Sequence, residues 1–208
     1  MRLRNIILIL APAMMISCGQ TDYSDGKWVI GPFERPVSDA IITPDTTAVF
    51  DCPMRGEPVK WMESDTFNPA ATTKDGKIVI LFRSEDNSAT GIGSRTSRVG
   101  YAETSDGINV NILPEPVLFP GGDGWEDLDC PGGSEDPRVA KTEDGLYVMM
   151  YTSFNRKTAR LCVATSRDLK HWEKHGSAFK GALGVKPEGA EKLTSSPKSE
   201  DVNTLHTS

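Results

Sequence analysis

Hydrophobic and polar positions along this chain alternate in short runs, and turn residues separate the runs. Apolar runs rich in β-branched or aromatic residues cover 77–82 and 146–152, and each follows an Asp-Gly turn. Runs of this kind next to an Asp-Gly pair are typical of β-hairpins. No segment sustains the 3.6-residue apolar period of an amphipathic helix. The pattern therefore predicts an all-β fold.

The chain also repeats itself. Matching positions lie 62 to 69 residues apart, namely Pro69 with Pro137, Asp75 with Asp144, and Arg98 with Arg160. A unit of that length with about four short strands has the size of a β-propeller blade. We predict two blades, at residues 61–125 and 131–182, with a partial strand or two before them.

Two blades do not close a propeller, because a ring needs at least about four. We therefore expect this chain to be the front part of a longer enzyme, in which residues 28–182 form an incomplete propeller. The alternative is a small two-blade protein, which would leave a long unpaired sheet edge. Residues 183–208 contain no Phe, Trp or Tyr and many Ser, Thr, Lys and Glu residues, which predicts a disordered tail.

The first residues are typical of an export signal. Arg2 and Arg4 precede an apolar run at 6–16, which is shorter than the about 20 residues that span a bilayer. The run ends in Met-Ile-Ser-Cys, which resembles a bacterial lipobox with Cys18 as the lipidated residue. We predict a lipoprotein signal at 1–17, a linker at 18–27 and a lipid-anchored location in the cell envelope. An ordinary cleaved signal with a chance cysteine is the alternative.

Composition narrows the range of partners. The chain has 208 residues, with 23 Lys and Arg against 29 Asp and Glu, and a formal net charge of −6. It therefore lacks the basic patch that nucleic acid requires, and any membrane contact is expected through the lipid alone. Cys52, Cys130 and Cys162 form neither a CxxC motif nor a Cys/His cluster, so neither a metal site nor a disulfide framework is predicted.

The densest group of polar residues is the Gly-Gly-Ser-Glu-Asp-Pro-Arg segment at 132–138. In the repeat, Asn68-Pro69 takes the place of Asp136-Pro137, so the two side chains should face one pocket, and Arg83 ends a strand beside it. These groups suit a ligand rich in hydroxyl groups. In the plainer alternative, Asp136 and Asn68 are turn residues, and Arg83 pairs with a surface carboxylate.

At these residues a family resemblance appears. Five motifs occur in order, and together they resemble glycoside hydrolase family 130 over about residues 28–180: Asp-Thr-Phe-Asn-Pro-Ala-Ala at 65–71, Phe-Arg-Ser-Glu-Asp at 82–86, Thr-Ser-Arg-Val-Gly at 96–100, Gly-Gly-Ser-Glu-Asp-Pro-Arg at 132–138 and Lys-Thr-Ala-Arg-Leu at 157–161. The resemblance implies a five-bladed propeller that acts on β-mannosides. The family usually has Cys where Ser134 stands.

The resemblance also implies roles for individual residues. Asp136 would be the sole general acid and would pass its proton to the glycosidic oxygen through a sugar hydroxyl. Asn68 and Arg83 would hold the mannose ring, and Arg98 and Arg160 are weaker candidates for contacts with sugar or anion. Independently of the resemblance, Trp125 lies in a Gly- and Asp-rich loop, which suggests that its ring is a platform on which a sugar stacks.

Three functions remain open at this stage. An export signal favours hydrolysis, because phosphorolysis benefits a cell where kinases and phosphate are available, and the family resemblance implies that the reaction inverts the anomeric carbon. The first alternative is a β-mannoside phosphorylase with inorganic phosphate as co-substrate, and no other cofactor is expected. The second is a glycan-binding lipoprotein without turnover, or an inactive fragment. We expect weak or no activity from the 208-residue chain alone.

Overall fold

Ten strands and one short helix run through the part of the chain that the computed structural model describes, residues 34–91 and 93–179. In chain order they are β1 (Asp45–Cys52), β2 (Glu57–Met62), β3 (Asp65–Lys74), β4 (Lys77–Glu85), β5 (Ser97–Thr104), β6 (Asn111–Ile112), α1 (Glu126–Asp129), β7 (Gly133–Lys141), β8 (Tyr147–Phe154), β9 (Ala159–Ser166) and β10 (Glu173–Ser177). Cys18, the linker and the predicted tail lie outside the described residues.

The strands follow the alternation expected from the sequence. On β8, Tyr147, Met149, Tyr151 and Ser153 are buried, and the residues between them are partly exposed. Successive side chains of a strand point to opposite faces, so one face of β8 supplies core side chains and the other is half solvated. The apolar run predicted at 77–82 is confirmed as part of β4, and the run at 146–152 is confirmed from Tyr147 onward as part of β8.

The strands form two antiparallel groups, which we call the first strand group (β3–β6) and the second strand group (β7–β10). A parallel pairing of Ser97 with Gly133 joins them, and β1 and β2 form a separate hairpin. The all-β prediction is confirmed, with α1 as a four-residue exception. No closed ring forms within the described residues, so the five-bladed propeller stays a prediction.

The repeat extends to individual hydrogen bonds. In the first strand group, Asp106 Oδ1 accepts bonds from the backbone N–H groups two and three residues ahead, at 2.9 and 2.8 Å. In the second, Asp168 Oδ1 does the same, at 2.8 and 2.8 Å. The hydroxyls of Thr104 and Ser166 donate to these carboxylates at 2.9 and 3.1 Å. The two groups are therefore equivalent structures at the ends of β5 and β9.

The main core lies between the two strand groups. It contains aliphatic and aromatic side chains from both, including Val79, Leu81 and Tyr101 from the first and Tyr147, Met149 and Tyr151 from the second. A second cluster packs the β1–β2 hairpin against the first strand group through Trp61 and Phe82, whose ring centroids lie 6.2 Å apart. Gly100 is required here, because a Cβ at this position would lie 2.3 Å from the Phe82 ring.

Candidate active site

Asn68 on β3 and Asp136 on β7 occupy equivalent positions in the two strand groups. Both have left-handed backbone conformations, with φ of 46° and 51°, both precede a proline, and both lie at an irregularity in strand pairing. Asn and Asp adopt this conformation more readily than most other residues. A bulge re-aims the side chains of its strand. The same local structure therefore directs both side chains to one place.

The two side chains meet directly. Asn68 Nδ2 donates a hydrogen bond to Asp136 Oδ1 at 2.9 Å, and Arg83 Nη1 donates to the same oxygen at 3.1 Å. Asp136 Oδ2 accepts no hydrogen bond from the described residues. The Asp136 side chain remains 36% exposed. The carboxyl group is thus held through one oxygen and open at the other.

Arg83 reaches this position from β4 and is almost completely buried. Its Nε donates to Ser97 Oγ at 3.1 Å, and its guanidinium lies over the Phe67 ring at 4.6 Å from the centroid. Its Nη2 donates to two glutamates. Four of its five N–H donors are therefore used inside the protein. In this geometry Arg83 holds Asp136, and its predicted hold on the mannose ring stays a prediction.

Glu85 and Glu135, which we call the carboxylate pair, share this guanidinium nitrogen. Arg83 Nη2 lies 2.6 Å from Glu85 Oε1 and 3.0 Å from Glu135 Oε1. The Ser97 hydroxyl lies 3.2 and 3.3 Å from the same two oxygens. Burial raises the pKa of Glu135, Arg83 opposes this rise, and the negative charges of Asp136 and Glu85 add to it. The site thus concentrates negative charge around one buried cation.

Two glycines allow close backbone contacts at this site, Gly132 with Phe154 at the end of β8 and Gly133 with Ser97 on β5. A Cβ on Gly132 would lie 2.3 Å from the Phe154 carbonyl oxygen, and one on Gly133 would lie 2.0 Å from the Ser97 carbonyl oxygen. Gly133 also has a φ of 109°, which glycine adopts without strain. Ser97 N donates to the Gly132 carbonyl at 2.8 Å. Any larger residue would push the Asp136 strand away from Arg83.

The structure places Arg98 in a buried ion pair, and its predicted sugar or anion contact stays a prediction. Arg98 is completely buried, and its Nη1 pairs with Asp86 Oδ2 at 2.9 Å. Its guanidinium lies 5.2 Å from the centroid of the Phe50 ring, under the β1–β2 hairpin. Its side chain has no exposed surface in the described structure. Arg98 therefore stabilises the fold in the described structure.

Trp125 is partly buried and packs on the core, and its predicted role as a sugar platform stays a prediction. Its indole packs against the main core and against Gly176, where an added Cβ would lie 2.4 Å from the ring. The contact partner lies 51 positions away in the chain, which a local reading of the loop does not reveal. Arg160 is partly buried on β9 and donates to the Thr158 carbonyl at 3.4 Å, so its role stays a prediction.

Sequence reasoning did not assign Glu85 or Ser97 to the site. A signal for Glu85 was available, because residues two apart on a strand lie on the same face and Arg83 was already a candidate. Ser97 lies on a different strand, opposite Glu85 in the β4–β5 register. Its contact with Arg83 follows from pairing that the sequence pattern did not specify.

Three further features of the described residues concern metal ligands, cysteines and membrane spans. No group of three His, Cys, Asp or Glu side chains in residues 34–91 and 93–179 is arranged to hold a metal ion. Cys52, Cys130 and Cys162 are free thiols. No helix in the described part of the chain has the length and apolar character needed to cross a membrane.

Comparison with known families gives a match over most of the chain. Residues 38–198 match the glycoside hydrolase 130 family, described as beta-1,4-mannooligosaccharide phosphorylase. A 1,2-beta-oligomannan phosphorylase from Thermoanaerobacter sp. strain X514 is 37% identical over 121 residues, which cover 56% of this chain and 39% of that protein.

Solved structures are more similar. One is described as "The GH130 family of mannoside phosphorylases contains glycoside hydrolases that target beta-1,2 mannosidic linkages in Candida mannan". It is 53% identical with a TM-score of 0.72, over 76% of this chain and 44% of that one. A glycosyl hydrolase from Bacteroides ovatus is 52% identical with a TM-score of 0.72, over 75% and 44%. The chain thus spans about two fifths of the length of these relatives.

Proposed function

The chain belongs to glycoside hydrolase family 130, and from that premise we propose that the full-length protein cleaves β-mannosidic bonds with Asp136 as the general acid. The substrate class is a β-mannoside oligosaccharide or glycan. The mannoside phosphorylases and glycoside hydrolases among its relatives support this substrate.

The observation that carries the proposal is the asymmetric environment of the Asp136 carboxyl group. Asn68 and Arg83 both donate to Oδ1, so a proton on this carboxyl group belongs on Oδ2. That oxygen accepts no hydrogen bond from the described residues and belongs to a partly exposed side chain. A proton on Oδ2 can therefore be donated to a bound sugar. A general acid must hold its proton within reach of the substrate in this way.

The chemistry follows from this arrangement. Oδ2–H gives its proton, through a sugar hydroxyl as the family resemblance implies, to the glycosidic oxygen. The bond between this oxygen and the anomeric carbon breaks, and an oxygen nucleophile attacks that carbon from the opposite face. The leaving sugar departs as an alcohol. Asp136 becomes a carboxylate, and the donors Asn68 and Arg83 stabilise the negative charge that it acquires.

Two nucleophiles are supported by different observations. Phosphate is favoured by the curated relative, a 1,2-beta-oligomannan phosphorylase. Water is favoured by the more similar structure whose description names glycoside hydrolases and by the predicted export of the protein. The curated relatives are phosphorylases, so they favour phosphorolysis over the hydrolysis that the predicted export signal favours.

Incubation of the full-length protein with β-1,2- and β-1,4-mannobiose, with and without inorganic phosphate, distinguishes the two. Mannose release that is independent of phosphate identifies a hydrolase. Formation of mannose 1-phosphate that requires phosphate identifies a phosphorylase. Absence of cleavage of both substrates under both conditions would contradict the proposed activity on these two linkages.

Substitution Asp136→Asn tests the acid itself. The amide keeps the shape and can still accept the bonds from Asn68 and Arg83, but it has no proton to give. We expect kcat to fall by about 10²–10⁴-fold with little change in KM. The matched control is Asp144→Asn, in the β7–β8 turn, where the carboxylate pairs with Arg167 on the surface; its kcat should stay near wild type.

Sugar binding without turnover in the wild-type protein would instead identify a glycan-binding protein.

A further inference from the structure

The carboxylate pair has an unusual environment for two acidic residues. Glu85 is completely buried and Glu135 is nearly so. Their Oε1 atoms accept bonds from one guanidinium nitrogen, Arg83 Nη2, and lie within 3.3 Å of one hydroxyl oxygen, Ser97 Oγ. Two carboxyl groups that share both neighbours are close together, and two buried negative charges at short range repel strongly.

The available hydrogen atoms do not remove this repulsion. Ser97 Oγ accepts a bond from Arg83 Nε at 3.1 Å, so its single hydrogen can satisfy either Glu85 or Glu135 but not both. Glu85 Oε2 is buried without a hydrogen-bond partner among the described residues. A proton on one of the two carboxyl groups would convert an acceptor into a donor and remove one negative charge.

Charged groups on the neighbouring elements also favour a proton on the carboxylate pair. The groups that face the pair are Asp65 on β3, Arg83 on β4, Arg95 in the β4–β5 loop and Asp136 on β7. Arg95 Nη1 lies 3.7 Å from Glu85 Oε2 but also pairs with Asp65. Counted with the pair, four carboxyl groups face two guanidinium groups. The cluster therefore has more acid groups than cations to balance them.

We propose that Glu85 and Glu135 hold one proton between them at neutral pH and act as positioning residues for Asp136. The pair then carries one net negative charge, which balances Arg83. With its charge balanced, Arg83 orients Asp136 without holding it permanently as a carboxylate. Asp136 thereby remains able to carry its own proton, which the proposed function requires. The role in catalysis rests on that function, whereas the shared proton does not.

The shared proton is measurable without any substrate. In the chain labelled with ¹³C at the glutamate side-chain carboxyl carbon, we expect one protonated glutamate signal at pH 7, far above the ordinary glutamate pKa of about 4.3. The signal should be lost in Glu85→Gln and also in Glu135→Gln, because either substitution leaves one glutamate that is free to ionise. The control Glu103→Gln, whose carboxylate pairs with Lys77 at the other end of β5, should retain it.

Activity of the full-length protein tests the positioning role. Glutamine mimics a protonated glutamate, so Glu135→Gln keeps one negative charge beside Arg83, and we expect its kcat to fall less than that of the double variant Glu85→Gln/Glu135→Gln. Glu85→Gln/Glu135→Gln removes that charge and leaves Arg83 to pair with Asp136 alone. We expect kcat at pH 7 to fall by on the order of 10–100-fold, with the alkaline limb of the pH profile moved to lower pH. A merely structural role would lower kcat without moving the profile.

The possible outcomes distinguish the shared proton from the positioning role. Absence of a protonated glutamate at pH 7 in the wild-type chain overturns the shared proton, and this measurement does not depend on whether any variant folds. An unmoved pH profile in a folded double variant overturns the positioning role. A protonated pair in a protein that cleaves no mannoside contradicts the proposed function and leaves the shared proton standing.

Discussion

Ser134 is a buried hydroxyl group at the edge of the active site. Its side chain is fully buried, and its Oγ has no hydrogen-bond partner within the described residues. An unsatisfied buried polar group costs about 1–3 kcal/mol. Glycoside hydrolase family 130 usually has Cys at this position. Burial without a hydrogen-bond partner costs much less free energy for a thiol than for a hydroxyl.

We therefore predict that Ser134→Cys raises the free energy of unfolding by about 1 kcal/mol. Urea denaturation followed by circular dichroism measures the change. The control is Ser166→Ala, because the Ser166 hydroxyl donates to Asp168 and accepts from the Leu169 backbone N–H. That variant should be less stable than the wild type. A less stable Ser134→Cys variant would show that the hydroxyl has a partner.

The residues that the sequence predicted correctly are those that the repeat makes equivalent. Asn68 and Asp136 were expected in one pocket because each precedes a proline at a matching position, and they are hydrogen-bonded at 2.9 Å. The surroundings of Arg98 and Trp125 were not predictable, because burial depends on what covers a side chain. The β1–β2 hairpin covers Arg98, and β10 packs on Trp125. No local pattern specifies either contact.

At the scale of elements, the turn after β5 has a built-in pH dependence. The backbone N–H of Ile108, the side chain of Asn109 and its N–H donate to the Asp106 carboxylate and lower its pKa well below the ordinary value. The folded chain therefore binds fewer protons than the unfolded chain in acid, and acid favours unfolding. The stabilisation is fully present above the unfolded pKa, near 4, and is lost as pH falls below it.

We predict that Asp106→Asn lowers stability most at pH 7 and that its difference from the wild type shrinks below about pH 4. Denaturation at a series of pH values measures the difference. Asp168→Asn, at the equivalent turn after β9, provides a matched comparison and should behave alike. A difference that stays constant from pH 7 to pH 3 would mean that these hydrogen bonds do not favour the carboxylate.

The all-β class and the two strand groups were predictable because turns and alternation are local signals. The predicted segments 61–125 and 131–182 each contain one group. The carboxylate pair was not predictable, because residues 81–85 at the end of β4 are all buried and three of them are polar. A run of polar residues at a strand end ordinarily indicates solvent. Here it lies where β3, β5 and β7 converge.

At the scale of the whole molecule, the two strand groups share one core. Met149 on β8 is fully buried in the cluster that also contains Val79 and Leu81 of β4. We predict that Met149→Ala lowers the free energy of unfolding by about 2–5 kcal/mol. Hydrogen exchange should show equal loss of protection in β4 and β8, because both groups depend on this core.

The control for this prediction is Ile78→Ala, on the exposed face of β4. Its effect on stability should stay within about 0.5 kcal/mol. A loss of protection that is confined to β7–β10 in Met149→Ala would contradict a shared core and indicate that the two groups unfold independently.

Asp136 belongs to the second strand group, whereas Asn68 and Arg83, which hold it, belong to the first. A slight slip of one group against the other separates the acid from both donors while every strand remains intact. If Asp136 is the general acid proposed above, thermal loss of activity should precede melting of the sheet, and a cross-link that ties β5 to β7 should raise the temperature at which activity is lost.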